Sequence, residues 1–326
     1  MTEFYLPTRD ASHTLYLNEY GPKNGRPVLM VHGGSGHTFD EQEMLMLFSP
    51  DDRVIFYHQR GVGKSRPLAY TQNNTIETNL EDIEHIRQTL GIEQWHIFSW
   101  SFGAIFVSLY ALENSDRCLS LSGHGPYHGG LKDWEVTYKK APEAMKAMLD
   151  FYEASNPKEA MRAAYEADKN LNLEVFIDKE YQKTDKQVSR EEFRASLSEQ
   201  DWMQRFAGHI IGLKQEKEIF DYPDDFIALK ACANSAFQDI PAAFTFGAND
   251  SWSGNNSYFR AIYPNAEIKI IPKLGHDPHQ ARFLDEAKPF FSNLMEQAEV
   301  GVKARTPRRS SQTGGPSDPG QDHLKP

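Results

Sequence analysis

The chain has 326 residues, of which 39% are hydrophobic, and a formal net charge of −11. These values are typical of a globular protein with one large core, and they exclude a fibrous or mostly disordered chain. The negative charge argues against a nucleic-acid partner, because binding to a phosphate backbone rests on clustered Lys and Arg.

The two cysteines, Cys118 and Cys232, lie among apolar or small residues and imply no disulfide framework, so a reducing compartment fits. The sequence that starts at Met1 lacks the basic and apolar regions of a signal peptide. No apolar run approaches the roughly 18 residues of a membrane span. We therefore expect a cytoplasmic protein without a membrane partner.

Short β-branched runs alternate with helical patterns along most of the chain. The predicted strands are Thr14–Tyr20, Val28–Val31, Val54–His58, Trp95–Ser99, Cys118–Ser122, Ala243–Gly247 and Glu267–Ile271. The predicted helices are Thr78–Leu90, Phe102–Glu113 and Gln280–Ala298. This alternation predicts an α/β protein with a mostly parallel sheet that is covered by helices on both faces.

A different pattern occupies the middle of the chain. Strand-like runs stop, and charged helical stretches such as Pro142–Ala154 and Lys158–Lys169 replace them. We interpret residues 125–237 as a helical lid that is inserted into a core formed by residues 1–124 and 238–300.

The last residues, 301–326, have their own composition. They are basic at first and then rich in Gly, Pro and Ser, with almost nothing apolar to bury. We expect a disordered tail and a folded part that ends near Val300.

The segment Trp95–Ala104 has the pattern of a strand that turns directly into a helix, with Ser101 at the turn. A nucleophile elbow needs small residues two before and two after its serine, because the strained turn brings neighbouring backbones together. Ser99 and Gly103 occupy those positions. Ser99 is a poorer nucleophile candidate, since the residue two before it is Ile97. The pattern predicts that Ser101 is the nucleophile.

A glycine-rich loop, His-Gly-Gly-Ser-Gly at residues 32–36, follows the apolar strand at Val28–Val31. Glycines let backbone N–H groups face a substrate, although a tight turn that needs glycine for its dihedral angles is an alternative. Because the elbow is present, we predict that the amides of Gly34 and Phe102 form an oxyanion hole. We interpret His32 as structural or loop-orienting.

A nucleophilic serine needs a base, and the base needs a carboxylate that orients it. In the chain order Ser, acid, His, Asp250 follows the strand Ala243–Gly247 within a Gly-x-x-Asp turn. His276 follows the strand Glu267–Ile271 within a Gly-His loop. We predict that Asp250 and His276 complete a catalytic triad with Ser101.

Other acids and histidines fit these roles less well. Asp277 and His279 do not directly follow the glycine that opens their loop, and Asp239 precedes an Ile-Pro pair near the end of the lid. His124 and His128 follow the strand after the elbow helix, where substrate contact and an ordinary loop role both stay open.

No metal or cofactor is predicted. His124 and His128 are four apart, but no helical pattern places them on one face and no carboxylate has ligand spacing. The sequence Gly-Val-Gly-Lys-Ser at 61–65 lacks the full spacing of a phosphate-binding loop, so nucleotide binding is not expected either.

Taken together, these motifs resemble the proline iminopeptidase group of α/β-hydrolases over roughly residues 12–124 and 238–295. The matching segments are His32–Gly36, Tyr57–Ser65, Asn74–Glu84, Leu90–Ile92, the elbow, Gly247–Asp250 and Gly275–His276. The chain departs from the group at Ser35, at His58 and within the elbow. The resemblance implies the α/β-hydrolase fold and an active site of the Ser-His-Asp type.

The resemblance also implies that lid carboxylates hold a substrate's free ammonium group. The lid offers many carboxylates, among them Glu166, Asp168, Glu174 and Glu180, and the sequence singles out none. The favoured function is an aminopeptidase or amidase that acts on small peptides or amides through an acyl-enzyme. A carboxylesterase or lactonase, and a non-catalytic ligand receptor with this fold, remain alternatives. The oligomeric state stays open.

Overall fold

A computed structural model describes residues 1–34, 38–128, 157–184, 186–223, 225–250 and 256–305. In these residues a sheet has the strand order β1-β2-β4-β3-β5-β6-β7-β8. The strands are β1 (Thr2–Pro7), β2 (Thr14–Tyr20), β3 (Arg26–Val31), β4 (Asp52–Tyr57), β5 (Trp95–Trp100), β6 (Cys118–His124), β7 (Ala242–Gly247) and β8 (Glu267–Ile271). The pairs β1–β2 and β2–β4 are antiparallel, and all others are parallel. The mostly parallel sheet is therefore confirmed.

Two differences from the predicted strands have physical causes. The strand β1 was not predicted; it lies at the edge of the sheet and pairs only with β2. Its side chains are mostly exposed, so they carry little hydrophobic pattern. Strands β3 and β4 begin two residues earlier than predicted, because Arg26 and Asp52 pair in register and form an ion pair of 2.9 Å.

The helices lie mostly where the sequence pattern indicates. They are α1 (Glu41–Met44), α2 (Ile76–Thr89), α3 (Gly103–Glu113), α4 (Pro157–Asp168), α5 (Leu173–Gln182), α6 (Arg190–Ala195), α7 (Glu199–Asp221), α8 (Phe226–Cys232), α9 (Ser235–Gln238), α10 (Asn256–Ile262) and α11 (Ala281–Arg305). Helix α11 continues to Arg305, beyond the predicted limit near Val300. The predicted helix at Pro142–Ala154 and residues 306–326 lie outside the described residues. No helix within the described ranges is both long and apolar enough to cross a membrane.

Two hydrophobic clusters cover the two faces of the sheet. On β5, Ile97 joins the cluster that contains Ile83 of α2, whereas its neighbour Phe98 joins the cluster that contains Phe291 of α11. Successive side chains of a strand point to opposite faces, so both faces of this strand are buried against helices. The predicted layers of helix, sheet and helix are confirmed.

Helices α4 to α9 lie between β6 and β7 in the chain. The longest of them, α7, forms hydrogen bonds with residues that precede β5. The side-chain amide of Gln204 donates to the carbonyl oxygen of Gly63 at 2.6 Å, and Glu218 accepts from the backbone N–H of Ile76 at 2.7 Å. These contacts hold α7 against the loop after β4 and the beginning of α2.

Candidate active site

Ser101 lies between the end of β5 and the beginning of α3 with a positive φ of 50°. A non-glycine residue is strained there, and the surrounding structure must hold it in place. Close backbone approach explains the glycine two residues later: a Cβ on Gly103 would lie 2.6 Å from the carbonyl oxygens of Val31 and His32. The turn therefore has the strained geometry that the sequence predicts for a nucleophile elbow.

The fold brings Ser101, His276 and Asp250 together although they are far apart in the chain. The distance between His276 Nε2 and Ser101 Oγ is 2.7 Å, and that between His276 Nδ1 and Asp250 Oδ2 is 2.8 Å. The Asp250 side chain is fully buried, whereas that of His276 is 23% exposed. Since a carboxylate only accepts, we assign the proton to Nδ1, which leaves Nε2 to accept from the Ser101 hydroxyl.

The backbones of Gly34 and Phe102 lie side by side next to Ser101. A Cβ placed on Gly34 would be 3.2 Å from the Cβ of Phe102. Neither amide N–H donates to another residue in the described part of the chain. Both residues line the same cavity as Ser101, so the two N–H groups are available for a substrate oxygen.

His124 lies next to the loop that contains His276. It is fully buried, and its Nδ1 and Nε2 lie 2.9 Å from Thr245 Oγ1 and 3.3 Å from the carbonyl oxygen of Gly275. Burial lowers its pKa to about 4, so the ring is neutral at pH 7. Because Gly275 precedes His276, this histidine supports the loop that contains His276.

Two other histidines near the site, His128 and His32, contact neighbouring protein groups. His128 is buried with its ring 5.8 Å from that of Tyr263, and burial lowers its pKa to about 3. The Nε2 of His32 accepts from the backbone N–H of Gln59 at 3.0 Å, as expected for a residue that orients the loop.

The other candidates for the acid and the base, Asp277, His279 and Asp239, lie elsewhere. Asp277 accepts from the backbone N–H of His279, and His279 Nδ1 lies 3.3 Å from the Glu43 carboxylate. Asp239 caps the end of α9. These residues do not line the cavity that contains Ser101. Among the described residues, no group of three or more His, Cys, Asp or Glu could hold a metal ion.

A cavity of about 270 Å³ lies over Ser101 and His276. The glycine-rich loop after β3, the turn around Ser101, the segment after β6 and helix α7 form its remaining walls. The lining residues are Gly33, Gly34, Trp100, Phe102, Tyr127, Gly212, Gln215 and Glu216. Helix α7 therefore closes one side of the site.

Sequence reasoning missed several residues of this site. Gln215 and Glu216 resemble many other polar residues of a charged helix, and only the attachment of α7 to the core brings them to the cavity. Gly125 has a positive φ of 50°, and a Cβ there would lie 2.9 Å from His276 Nδ1 and 3.0 Å from Asp250 Oδ2. Its position just after a strand was the signal that could have identified it.

The four carboxylates named from the lid sequence do not line the cavity. Glu166 pairs with Lys169, Asp168 with Lys179 and His209, Glu174 with Arg190, and Glu180 with Lys183. Of the acidic residues of α7, Glu216 lines the cavity.

A family model for the alpha/beta hydrolase fold matches residues 26–279, which include Ser101, Asp250 and His276. The chain belongs to the α/β-hydrolase family. This match covers most of the chain and agrees with the sheet order and helical layers described above.

Similar curated proteins indicate which group of the family the chain resembles. A proline iminopeptidase of Xylella fastidiosa is 35% identical over 130 residues, which are 40% of this chain and 41% of that protein. A probable proline iminopeptidase of Leptolyngbya boryana is 39% identical over 113 residues, or 34% of this chain and 35% of that protein. The chain therefore spans less than half the length of the curated relatives it matches. The predicted resemblance to the proline iminopeptidase group is confirmed.

A solved structure shares the fold over almost the whole chain. The crystal structure of proline iminopeptidase from Mycobacterium smegmatis has a TM-score of 0.58 and 16% sequence identity. The superposition covers 92% of this chain and all of that one. At this identity the likeness shows the fold alone.

Proposed function

We propose that the protein is a serine hydrolase that removes the amino-terminal residue from small peptides or amides. The observation that carries the proposal is the hydrogen-bonded series from Ser101 through His276 to Asp250, with distances of 2.7 and 2.8 Å, at a cavity wall. A serine, a base and a buried acid in this order form the constellation that activates a hydroxyl for acyl transfer. Curated relatives named proline iminopeptidase support an amino-terminal substrate.

In the proposed reaction, His276 Nε2 takes the proton of Ser101 while Oγ attacks the carbonyl carbon of the substrate. The N–H groups of Gly34 and Phe102 hold the resulting oxyanion. The C–N bond then breaks as His276 returns the proton to the leaving amine. Water, deprotonated by the same ring, hydrolyses the acyl-enzyme and restores Ser101. Asp250 keeps the ring in the tautomer that these steps need.

We propose that Glu216 receives the ammonium group of the substrate. Glu216 lines the cavity, and the hydroxyl of Tyr127 lies 3.5 Å from its Oε2. A carboxylate beside the reacting serine favours a cationic substrate amine and disfavours an anionic one. In this proposal the α7 region of the inserted segment acts as a lid that sets specificity.

The test of the nucleophile is labelling with a fluorophosphonate, followed by intact mass and peptide mapping. We expect one adduct, on Ser101, that is absent in Ser101→Ala and formed at least a hundredfold more slowly in His276→Ala. Unimpaired labelling of the Ser101→Ala variant would overturn the proposed nucleophile.

The test of the substrate class is a panel of aminoacyl anilides, their N-acetylated forms and short acyl esters. We expect the free-amine anilides to be cleaved and the N-acetylated forms to be poor substrates. In Glu216→Gln, KM for the free amines should rise about tenfold or more, since the variant keeps the shape and loses the charge. Turnover of esters alone would reject the peptidase assignment and favour an esterase.

A further inference from the structure

Helix α7 presents one face to the cavity over Ser101. Gly212, Gln215 and Glu216 all line this cavity, and they are spaced i, i+3 and i+4 along the helix. Residues with this spacing lie on the same face of a helix. A side chain at position 212 would therefore project from the face that borders the cavity, where the glycine leaves only backbone.

A glycine in the interior of a helix needs a structural reason. It lowers the stability of the helix relative to alanine, because the less restricted backbone loses more entropy on folding. Gly212 is buried near the middle of α7 and lines the cavity. Gly208, one turn earlier, is also buried but does not line the cavity. The cavity thus distinguishes Gly212 from the other glycine of this helix.

The rest of the cavity wall is largely aromatic. Trp100, Phe102 and Tyr127 line it, and all three residues are buried. Aromatic walls favour the apolar groups of a ligand, while a few polar groups fix its orientation. The cavity volume of about 270 Å³ is at the small end for a ligand site, since roughly 300–1,000 Å³ is usual. Carbon atoms added at position 212 would therefore take space from the ligand.

We infer that Gly212 is a specificity-determining residue that leaves room for a large apolar side chain on the amino-terminal residue of the substrate. This inference rests on the proposed function and adds the substrate class: aminoacyl groups with a branched or aromatic apolar side chain. In the proposed function the ammonium group lies at Glu216, one turn further along the same face of α7. Because the ammonium group and the side chain branch from one Cα atom, neighbouring parts of one helix face are suited to bind them both.

Two effects of replacing Gly212 follow from this position. Alanine favours the helix and its methyl group enters the cavity, so thermal stability stays the same or rises. Valine takes more of the cavity, so it excludes substrates with a large side chain and still accepts those with a small one. A glycine that only permits close packing of α7 against the protein would instead lose stability on replacement by alanine, and the preference among substrates would not change.

The test compares the wild type with Gly212→Ala and Gly212→Val, using α-aminoalkyl phosphonate diphenyl esters as probes of Ser101. The alanine, leucine and asparagine analogues are used, because leucine and asparagine differ little in shape but strongly in polarity. We expect the wild type to react about tenfold faster or more with the leucine analogue than with either of the others, since even one methylene in an apolar pocket changes the rate by about tenfold or more.

In Gly212→Val the leucine analogue should label about tenfold more slowly or less, whereas labelling by the alanine analogue should stay within about threefold of the wild type. Gly212→Ala should show a smaller loss with the leucine analogue, and its melting temperature should not fall. The matched control is Gly208→Ala, the same substitution one turn earlier on α7, which should keep the preference of the wild type. A small fluorophosphonate, which lacks the side chain, should label all variants at similar rates.

A wild type that reacts no faster with the leucine analogue would overturn the inference. An unchanged preference in Gly212→Val, or a fall in the melting temperature of Gly212→Ala, would overturn it as well. So would the absence of labelling by all three phosphonate esters while the fluorophosphonate still labels Ser101. Failure of the fluorophosphonate itself to label the wild type would instead reject the proposed function.

Discussion

Trp100 donates a hydrogen bond of 2.8 Å from its indole nitrogen to the backbone carbonyl oxygen of His276. The two rings also lie close, with centroids 6.0 Å apart. Trp100 immediately precedes Ser101, so its side chain connects the strand before the proposed nucleophile to the loop of the proposed base, His276. The contact fixes the backbone of His276 independently of the hydrogen bond from its ring to Asp250.

We predict that Trp100→Phe slows the chemistry more than it weakens substrate binding. Phenylalanine keeps an aromatic ring and loses the N–H donor, so the loop of His276 gains freedom and the ring is misplaced relative to Ser101. The expected result is a fall of about tenfold in kcat with little change in KM, measured by steady-state kinetics over a range of pH.

The matched control is Trp95→Phe in the same strand, because the indole nitrogen of Trp95 is buried without a hydrogen-bond partner. That variant loses packing but no hydrogen bond and should keep its kcat. Equal losses of kcat in the two variants would show that the donor of Trp100 has no positioning role.

Gly125→Ala should impair catalysis through direct contact with the His276–Asp250 pair. The new Cβ would lie 2.9 Å from Nδ1 of the ring and 3.0 Å from the carboxylate, and the positive φ of 50° adds strain. We expect fluorophosphonate labelling to slow by about tenfold or more and stability to fall by about 1 kcal/mol.

The control for this prediction is Gly91→Ala. Its φ is 64°, but nothing lies within 4 Å of the added Cβ, so only the backbone strain remains. A similar loss of stability with unchanged labelling is expected. Normal labelling in Gly125→Ala would mean that the loop moves aside without disturbing the base.

Removal of one partner from the buried ion pair of Arg60 and Asp82 should destabilise the fold. The side chains are 1% and 2% exposed, and the two nitrogens of Arg60 donate to Asp82 at 2.6 and 2.8 Å. Asp82→Asn leaves a buried guanidinium without its main counter-charge, which costs about 3–5 kcal/mol. Urea unfolding measures this loss.

The comparison variant is Asp10→Asn, which removes the other carboxylate bound to Arg60. Asp10 is 27% exposed, so water can replace part of its contact and the loss should be smaller. Equal losses in Asp82→Asn and Asp10→Asn would contradict the role assigned to burial.

The sequence predicts the structure best where a local pattern of residues determines it. The elbow around Ser101 and the loops of Asp250 and His276 could be predicted, because strand ends, glycines and chain order are all visible in one sequence. The sheet followed from its buried strands, whose continuous apolar runs are easy to recognise.

Features that depend on contacts between distant segments could not be predicted. Trp100 resembles any aromatic residue at a strand end until the loop of His276 meets it. Gln215 is a polar residue of a long helix whose weak amphipathic pattern does not identify the face toward the cavity. The edge strand at Thr2–Pro7 depends on its pairing with β2, since it buries little of its own surface.

Glu84, which lies on α2 at the edge of the core, should make the stability of the fold depend on pH. Its carboxylate accepts from Arg87 at 2.9 and 2.6 Å and from the Tyr110 hydroxyl at 2.8 Å. The bond from Arg87, together with that from Tyr110, lowers the pKa of Glu84 from 4.5 to about 2 against the opposing effect of burial. A lowered pKa in the folded state means that the charged carboxylate stabilises the fold.

This stabilisation is fully present above about pH 4.5 and is lost as the pH falls toward 2, because the folded protein then binds the same proton as the unfolded chain. We expect Glu84→Gln to lower the free energy of unfolding by about 1–3 kcal/mol at pH 7. The difference from the wild type should shrink between pH 4.5 and pH 3, where the protonated acid increasingly resembles glutamine. Urea titrations at several pH values measure it, with Glu81→Gln as the exposed control on the same helix. A difference that does not change with pH would show that Glu84 acts through shape and not through charge.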